Sequence, residues 1–97
     1  MNKTRRRVIL TEHAKQRLKE RVGSYRGYRD WQELAQCVRY SGKAEHEFSD
    51  EESLWVKQRI RGLYKSSQIR MLNGFAFLFS GNKGHARTLV TVIKIEI

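Results

Sequence analysis

The chain has 97 residues, with 20 Lys and Arg against 10 Asp and Glu, a formal net charge of +10 and a pI near 10.3. That length suits one small domain, residues 1–97, whose core needs neither metal nor bridge, and the single cysteine, Cys37, cannot form an internal disulfide. Ten aromatic residues and no proline argue against a disordered chain; with no apolar run near the ~18 residues of a membrane span and no secretory signal, a reducing, cytoplasmic setting is expected, with no membrane partner.

The charge is unevenly spread. Residues 1–29 carry a net +8, residues 30–56 a net −5 and residues 57–97 a net +7. Two basic segments separated by an acidic one allow a fold to gather positive charge on one face, the footprint of a nucleic-acid binder. The same charge would also suit an acidic protein surface.

In chain order, residues 1–7 form a basic arm ending in Arg5, Arg6 and Arg7, and Val8-Ile9-Leu10 reads as a short extended entry. Thr11 caps a first helix, Glu12 complements its dipole, and Gly23 ends it in a left-handed conformation. His13, Arg17 and Arg21 recur at i, i+4 and i+8 on one stripe of that helix, beside an apolar stripe of Ala14, Leu18 and Val22. Basic residues beside an apolar stripe are also the usual solvated flank of an amphipathic helix. In the loop that follows, Tyr25 and Tyr28 alternate with Arg26 and Arg29. These four could stack on bases and pair with phosphates, as could Lys15 and the arm's arginines, although a tyrosine can equally tuck back onto the core.

Asp30 opens a second helix with Glu33 at its third position, and Trp31, Leu34, Ala35 and Val38 follow the spacing of a buried face up to Ser41-Gly42. From Lys43 to Ser49 the alternation of Ala44, His46 and Phe48 with polar residues suggests a strand. Residues 50–66 remain open between helix and strand. Asn73-Gly74, flanked by Gln68–Leu72 and Phe75–Phe79, signals a type I′ hairpin. Residues 87–97 then read as a long closing strand whose β-branched density is that of a central position. The expected fold is α+β, with two N-terminal helices packed on one face of a twisted antiparallel sheet of three to five strands.

No zinc-ligand spacing, phosphate-cradling glycine loop or serine-hydrolase elbow is present, so neither metal nor cofactor is expected. Metal-free RNA cleavage needs less: a base for the 2′-hydroxyl proton, cations for the phosphorane and an acid for the leaving oxygen. His13 could serve as base or acid, Arg17 and Arg21 as phosphate clamps, and Thr91, a polar residue within Leu89-Val90-Thr91-Val92-Ile93, could orient a phosphate from the sheet face. Thr91 is equally an ordinary strand residue.

Three stretches carry a resemblance: Thr11-Glu12-His13-Ala14-x-x-Arg17-Leu18-x-x-Arg21, Leu72-Asn73-Gly74-Phe75-x-Phe77-x-Phe79 and Leu89-Val90-Thr91-Val92-Ile93. Together they resemble the small toxin-like RNase domains of the barnase, colicin D and RelE group, particularly bacterial and phage members with a His-Ala-x-x-Arg-x-x-x-Arg helix. The resemblance implies N-terminal helices on a twisted antiparallel sheet, metal-free endoribonuclease activity in toxic members, and roles for His13, Arg17, Arg21 and Thr91. The competing expectation is a noncatalytic, phage-encoded interaction protein whose basic face engages nucleic acid or a host ribonucleoprotein. The first requires His13 beside a guanidinium in a concave site; the second does not. A dimer paired through an exposed sheet edge is a third option.

Overall fold

Hydrogen-bond pairing in the computed structural model, which describes residues 7–24, 27–61, 68–81 and 87–97, orders four strands as β1-β4-β3-β2. β1 is Ile9–Leu10, β2 Gln68–Leu72, β3 Phe75–Ser80 and β4 Thr88–Lys94. β2, β3 and β4 are antiparallel, whereas β1 runs parallel to β4. The sheet is therefore mixed, where an antiparallel one was expected. β1 and β4 are the first and last strands, so no hairpin joins them to impose an antiparallel direction.

That helix, α1, spans Glu12–Arg17 and starts as expected, with the Thr11 hydroxyl accepting from the Ala14 amide and donating to the Leu89 carbonyl at 3.3 Å. It then widens into a π-helical turn, Leu18–Val22, closed by the Gly23 amide on the Leu18 carbonyl at φ +88°. α2 spans Trp31–Ser41 and has Asp30 as its cap. Gln32 and Gln36, one turn apart on α2, bracket the backbone of Val8: one donates to its carbonyl, the other accepts from its amide. These amide side chains do for Val8 what a neighbouring strand would do, which holds the entry of β1 in place.

Asn73-Gly74 forms the expected hairpin, with φ of +52° and +84° at its two central residues as a type I′ turn requires. Residues 43–49, expected as a strand, are not one. Only Lys43 pairs, with Met71, and Glu45–Glu47 form a 3₁₀ turn because the Glu47 carboxylate takes the Ala44 amide. Gly42 fits between α2 and β2: a Cβ there would lie 2.6 Å from the Val38 carbonyl oxygen of α2 and 3.3 Å from both the Arg70 Cβ and the Met71 carbonyl oxygen of β2.

Residues 50–59 resolve as helix α3, Asp50–Arg59. Ser49 and Glu52 close a reciprocal capping box, the hydroxyl on the Glu52 amide and the carboxylate on the Ser49 amide. The Ser49 amide, then Lys43, hold the Glu52 carboxyl below its ordinary range against a desolvation that opposes them. α3 packs on the sheet face opposite α1 and α2, so the helices cover both faces where one was expected. One core joins Ala14, Leu18, Leu34, Ala35 and Val38 to Phe75, Phe77, Phe79, Leu89 and Val92. The other joins Trp55, Val56 and Ile60 to Ile69, Met71, Ala76 and Leu78. β3, buried from Phe75 through Phe79, is shared by the two. Among the described residues no helix is long and apolar enough to cross a membrane.

Two leucines test these placements. Leu34→Ala, in the α1/α2 core, is expected to cost about 2–5 kcal/mol of unfolding free energy. Leu54→Ala, on the outer face of α3 with 53% of its surface exposed, is expected to stay within about 0.5 kcal/mol of the parent in the same denaturant titration.

Candidate nucleic-acid interface

The π-helical turn decides the fate of the basic stripe. Its i to i+5 hydrogen bonding turns the chain less per residue than an α-helix does, so side chains after Leu18 leave the line begun by His13 and Arg17. Arg21 ends over β4, where its guanidinium donates to the Val92 carbonyl at 2.7 Å. β1 is only two residues long and pairs no further than Leu89, so this arginine satisfies an acceptor on the uncovered edge of β4. Arg17 turns instead to Glu20, 2.7 Å away, which also receives the amide of Gln16. The hydrogen bonds from Gln16 and Arg17 hold the Glu20 carboxyl below its ordinary range. His13 lies exposed near the start of α1 and has no hydrogen bond or ion pair among the described residues.

Thr91 is separated from these three. The strand register steps from Leu78↔Thr91 to Phe79↔Leu89, which leaves Val90 as the extra residue of a β-bulge. Thr91 therefore shares a face with Leu78, on the α3 side, at 1% exposure, with its hydroxyl enclosed and without a hydrogen-bond partner among the described residues. A phosphate cannot reach it. The expected role of Thr91 in orienting a phosphate from the sheet surface is corrected accordingly, and the His13, Arg17, Arg21 and Thr91 constellation is not assembled at one place.

The other expected contacts are dispersed. Lys15 pairs with Glu12 and Arg29 with Glu33, both on the surface where such pairs contribute little. Tyr28 tucks back onto the α1/α2 core with its hydroxyl 3.1 Å from the Cys37 sulfur, and that contact raises the phenol above its ordinary pKa. Arg7 is exposed, and its carbonyl accepts from Arg87. Arg5, Arg6, Tyr25 and Arg26 lie outside the described residues. Among the described residues no group of His, Cys, Asp and Glu could hold a metal ion.

Two surface clefts of about 520 Å³ are formed, and His13 lines neither. One, at the start of α2, is lined by Arg7, Arg29, Asp30, Gln32, Glu33, Gln36, Cys37 and Ser41. The other lies where the π-helical turn, the second half of α3 and the end of β4 meet, lined by Glu20, Arg21, Trp55, Arg59, Ile93, Lys94 and Glu96. Here the two basic segments of the sequence come together: Arg21 from the first, Arg59 and Lys94 from the second. Arg59 and Lys94 are exposed and have no hydrogen bond or ion pair among the described residues. Glu20 is tied to Gln16 and Arg17, so Glu96 is the carboxylate left without a partner at this cleft. The sequence reading missed Arg59 because it left α3 unassigned, and Lys94 because nothing local in β4 shows that α3 packs beside its end. A signal was nevertheless available, since Phe75-Ala76-Phe77-Leu78-Phe79 is a continuous apolar run of the kind that marks a strand covered on both faces.

Comparison with family models, with characterised proteins and with solved structures yields no match, so the site stands on its own geometry.

The burial of Thr91 has a measurable consequence. Thr91→Val keeps the shape and removes an enclosed, unpaired hydroxyl, so it is expected to raise stability by about 1 kcal/mol in denaturant unfolding. A loss of similar size would show that the hydroxyl has a bonded role.

Proposed function

We propose that this protein is a noncatalytic nucleic-acid-binding domain that engages its partner at the cleft between the π-helical turn, α3 and the end of β4. The observation that carries this reading is the convergence of Arg21, Arg59 and Lys94, cations from sequence segments of net +8 and +7, on one concavity. Arg59 and Lys94, exposed and with side chains unpaired among the described residues, are free to exchange counterions for phosphates, the main source of affinity in such complexes, while Arg21 adds its charge from its bond to the Val92 carbonyl. Most carboxylates near the remaining surface cations are already committed: Glu12 to Lys15, Glu33 to Arg29, Glu52 to Lys43 and Glu45 to Arg61. These pairs offset part of the positive charge elsewhere on the surface, while Arg59 and Lys94 stand unpaired at the cleft among the described residues.

The endoribonuclease expected from the resemblance asks more of the geometry than is present. General acid-base chemistry needs the imidazole within reach of the reacting oxygens and a cation beside it. His13 stands on an open helix surface, Arg17 faces Glu20, and Arg21 serves the sheet edge. This favours binding over cleavage.

The test is a binding titration against RNA over a range of salt, with the RNA recovered afterwards. Affinity is expected to fall linearly in log-log form, with a slope of roughly −0.7 to −0.9 per phosphate neutralised. Arg59→Ala and Lys94→Ala should each weaken binding and reduce the slope by about one, while His13→Ala leaves both unchanged and the RNA stays intact. Cleavage by the parent that is lost in His13→Ala would overturn the proposal in favour of the ribonuclease.

A further inference from the structure

We infer that the cleft holds one unstacked nucleotide of a single strand, its base against the apolar lining and its phosphate on the cations. This rests on the preceding proposal and narrows it to a substrate class. Its apolar lining is Trp55 and Ile93, one from α3 and the other from the α3-facing side of β4. Its charged lining is Arg21, Arg59 and Lys94, with Glu20 and Glu96 beside them. An apolar lining beside several cations is complementary to an anion with a flat apolar part, and a nucleotide is such an anion. A simple phosphate would leave the apolar lining uncovered, and an acidic side chain has no ring to place there.

Size and shape favour the single strand. A volume of about 520 Å³ falls within the ~300–1,000 Å³ of clefts that enclose small ligands. A double helix keeps its bases stacked inside and could present only phosphates to the cations. A single strand can splay a base out and lay its flat apolar surface against the lining that Trp55 and Ile93 give the cleft.

Trp55 supplies a polar handle as well. It is 6% exposed, and its indole N–H makes no hydrogen bond among the described residues. Aromatic residues with one apolar and one polar end commonly supply such a donor to a ligand, here to a base edge or a phosphate oxygen. Glu96 opposes the anion from the charged lining and sets an upper limit on affinity that a single substitution would lift.

The experiment uses Trp55 as its own reporter. The chain has two tryptophans, at 31 and 55, so Trp31→Phe leaves Trp55 alone. A short oligouridylate, a hairpin duplex of equal charge and linear polyphosphate are titrated at low salt while fluorescence and anisotropy are followed. The oligouridylate should change Trp55 emission saturably with the same Kd that its anisotropy gives. Duplex and polyphosphate should bind more weakly without changing the emission. In the otherwise natural chain, Glu96→Gln should tighten oligouridylate binding by about two- to fivefold, the worth of one repulsive charge at a partly exposed site, and shift the duplex by less. This second arm stands even if Trp31→Phe fails to fold. Binding of all three ligands with emission unchanged would overturn the nucleotide seat while leaving the basic cleft intact. Binding of none would overturn the underlying nucleic-acid reading as well.

Discussion

The β-bulge at Val90 is the constraint on which the two-sided packing of this protein depends. In a regular strand Leu89 and Val92, three positions apart, would face opposite ways. With Val90 inserted, both enter the α1/α2 core, opposite Phe79 and Phe77. The same shift turns Thr91 and Ile93 to the α3 side, opposite Leu78 and Ala76. The assignments of β4 side chains to their faces follow from this one extra residue: an apolar contact for α1, a buried hydroxyl under α3, and an isoleucine in the lining of a cleft. Strand interruptions of this kind commonly re-aim side chains beside functional sites.

The uncovered edge of β4 is the second determinant. β1 stops at Leu10, where Thr11 turns the chain into α1, and the strand it pairs with continues to Lys94. Arg21 then serves the Val92 carbonyl from the π-helical turn. An arginine that secures a sheet edge also brings its charge to the end of β4, where Lys94 and, across the gap, Arg59 already lie. Structure and electrostatics here share one side chain. A different arrangement gathers positive charge between α2 and β2. Arg39, nearly buried, lies over the rings of Tyr40 and Phe79, while burial, and then the Arg39 charge, lower the pKa of Arg70. Those two cations are packed into the structure, whereas Arg59 and Lys94 stand open to a ligand.

Local chemistry was legible in the sequence wherever a few neighbouring residues settle the backbone. The Thr11 and Asp30 caps, the buried face of α2, the left-handed Gly23 and the Asn73-Gly74 hairpin each depend on a short window. The central placement of β4 could be read from its β-branched content. What could not be read depends on partners distant in sequence. The alternation from Ala44 to Phe48 matched a strand, but the Glu47 carboxylate captured the Ala44 amide and a turn formed. α3 was ambiguous because Leu54 faces solvent while Trp55 and Val56, adjacent in sequence, both enter the core. The His13-Arg17-Arg21 stripe assumed uniform α-helical rotation, which the π-helical turn breaks. Thr91 stood out as a polar residue in an apolar run, but the face it takes depends on a bulge at Val90 that the sequence does not mark. Consequently the charge segregation was legible, but the place where the two basic segments meet was not.

The central claim, that segments distant in sequence form one nucleic-acid site, is tested most directly by mapping backbone amide shifts of isotopically labelled protein as a short single-stranded RNA is added. The account predicts that resonances of residues 20–21, 55–59 and 93–96 move together and saturate at one common concentration, with the exposed start of α1 around His13 unaffected. Shifts concentrated around His13 and Arg17, with the cleft residues unmoved, would contradict it.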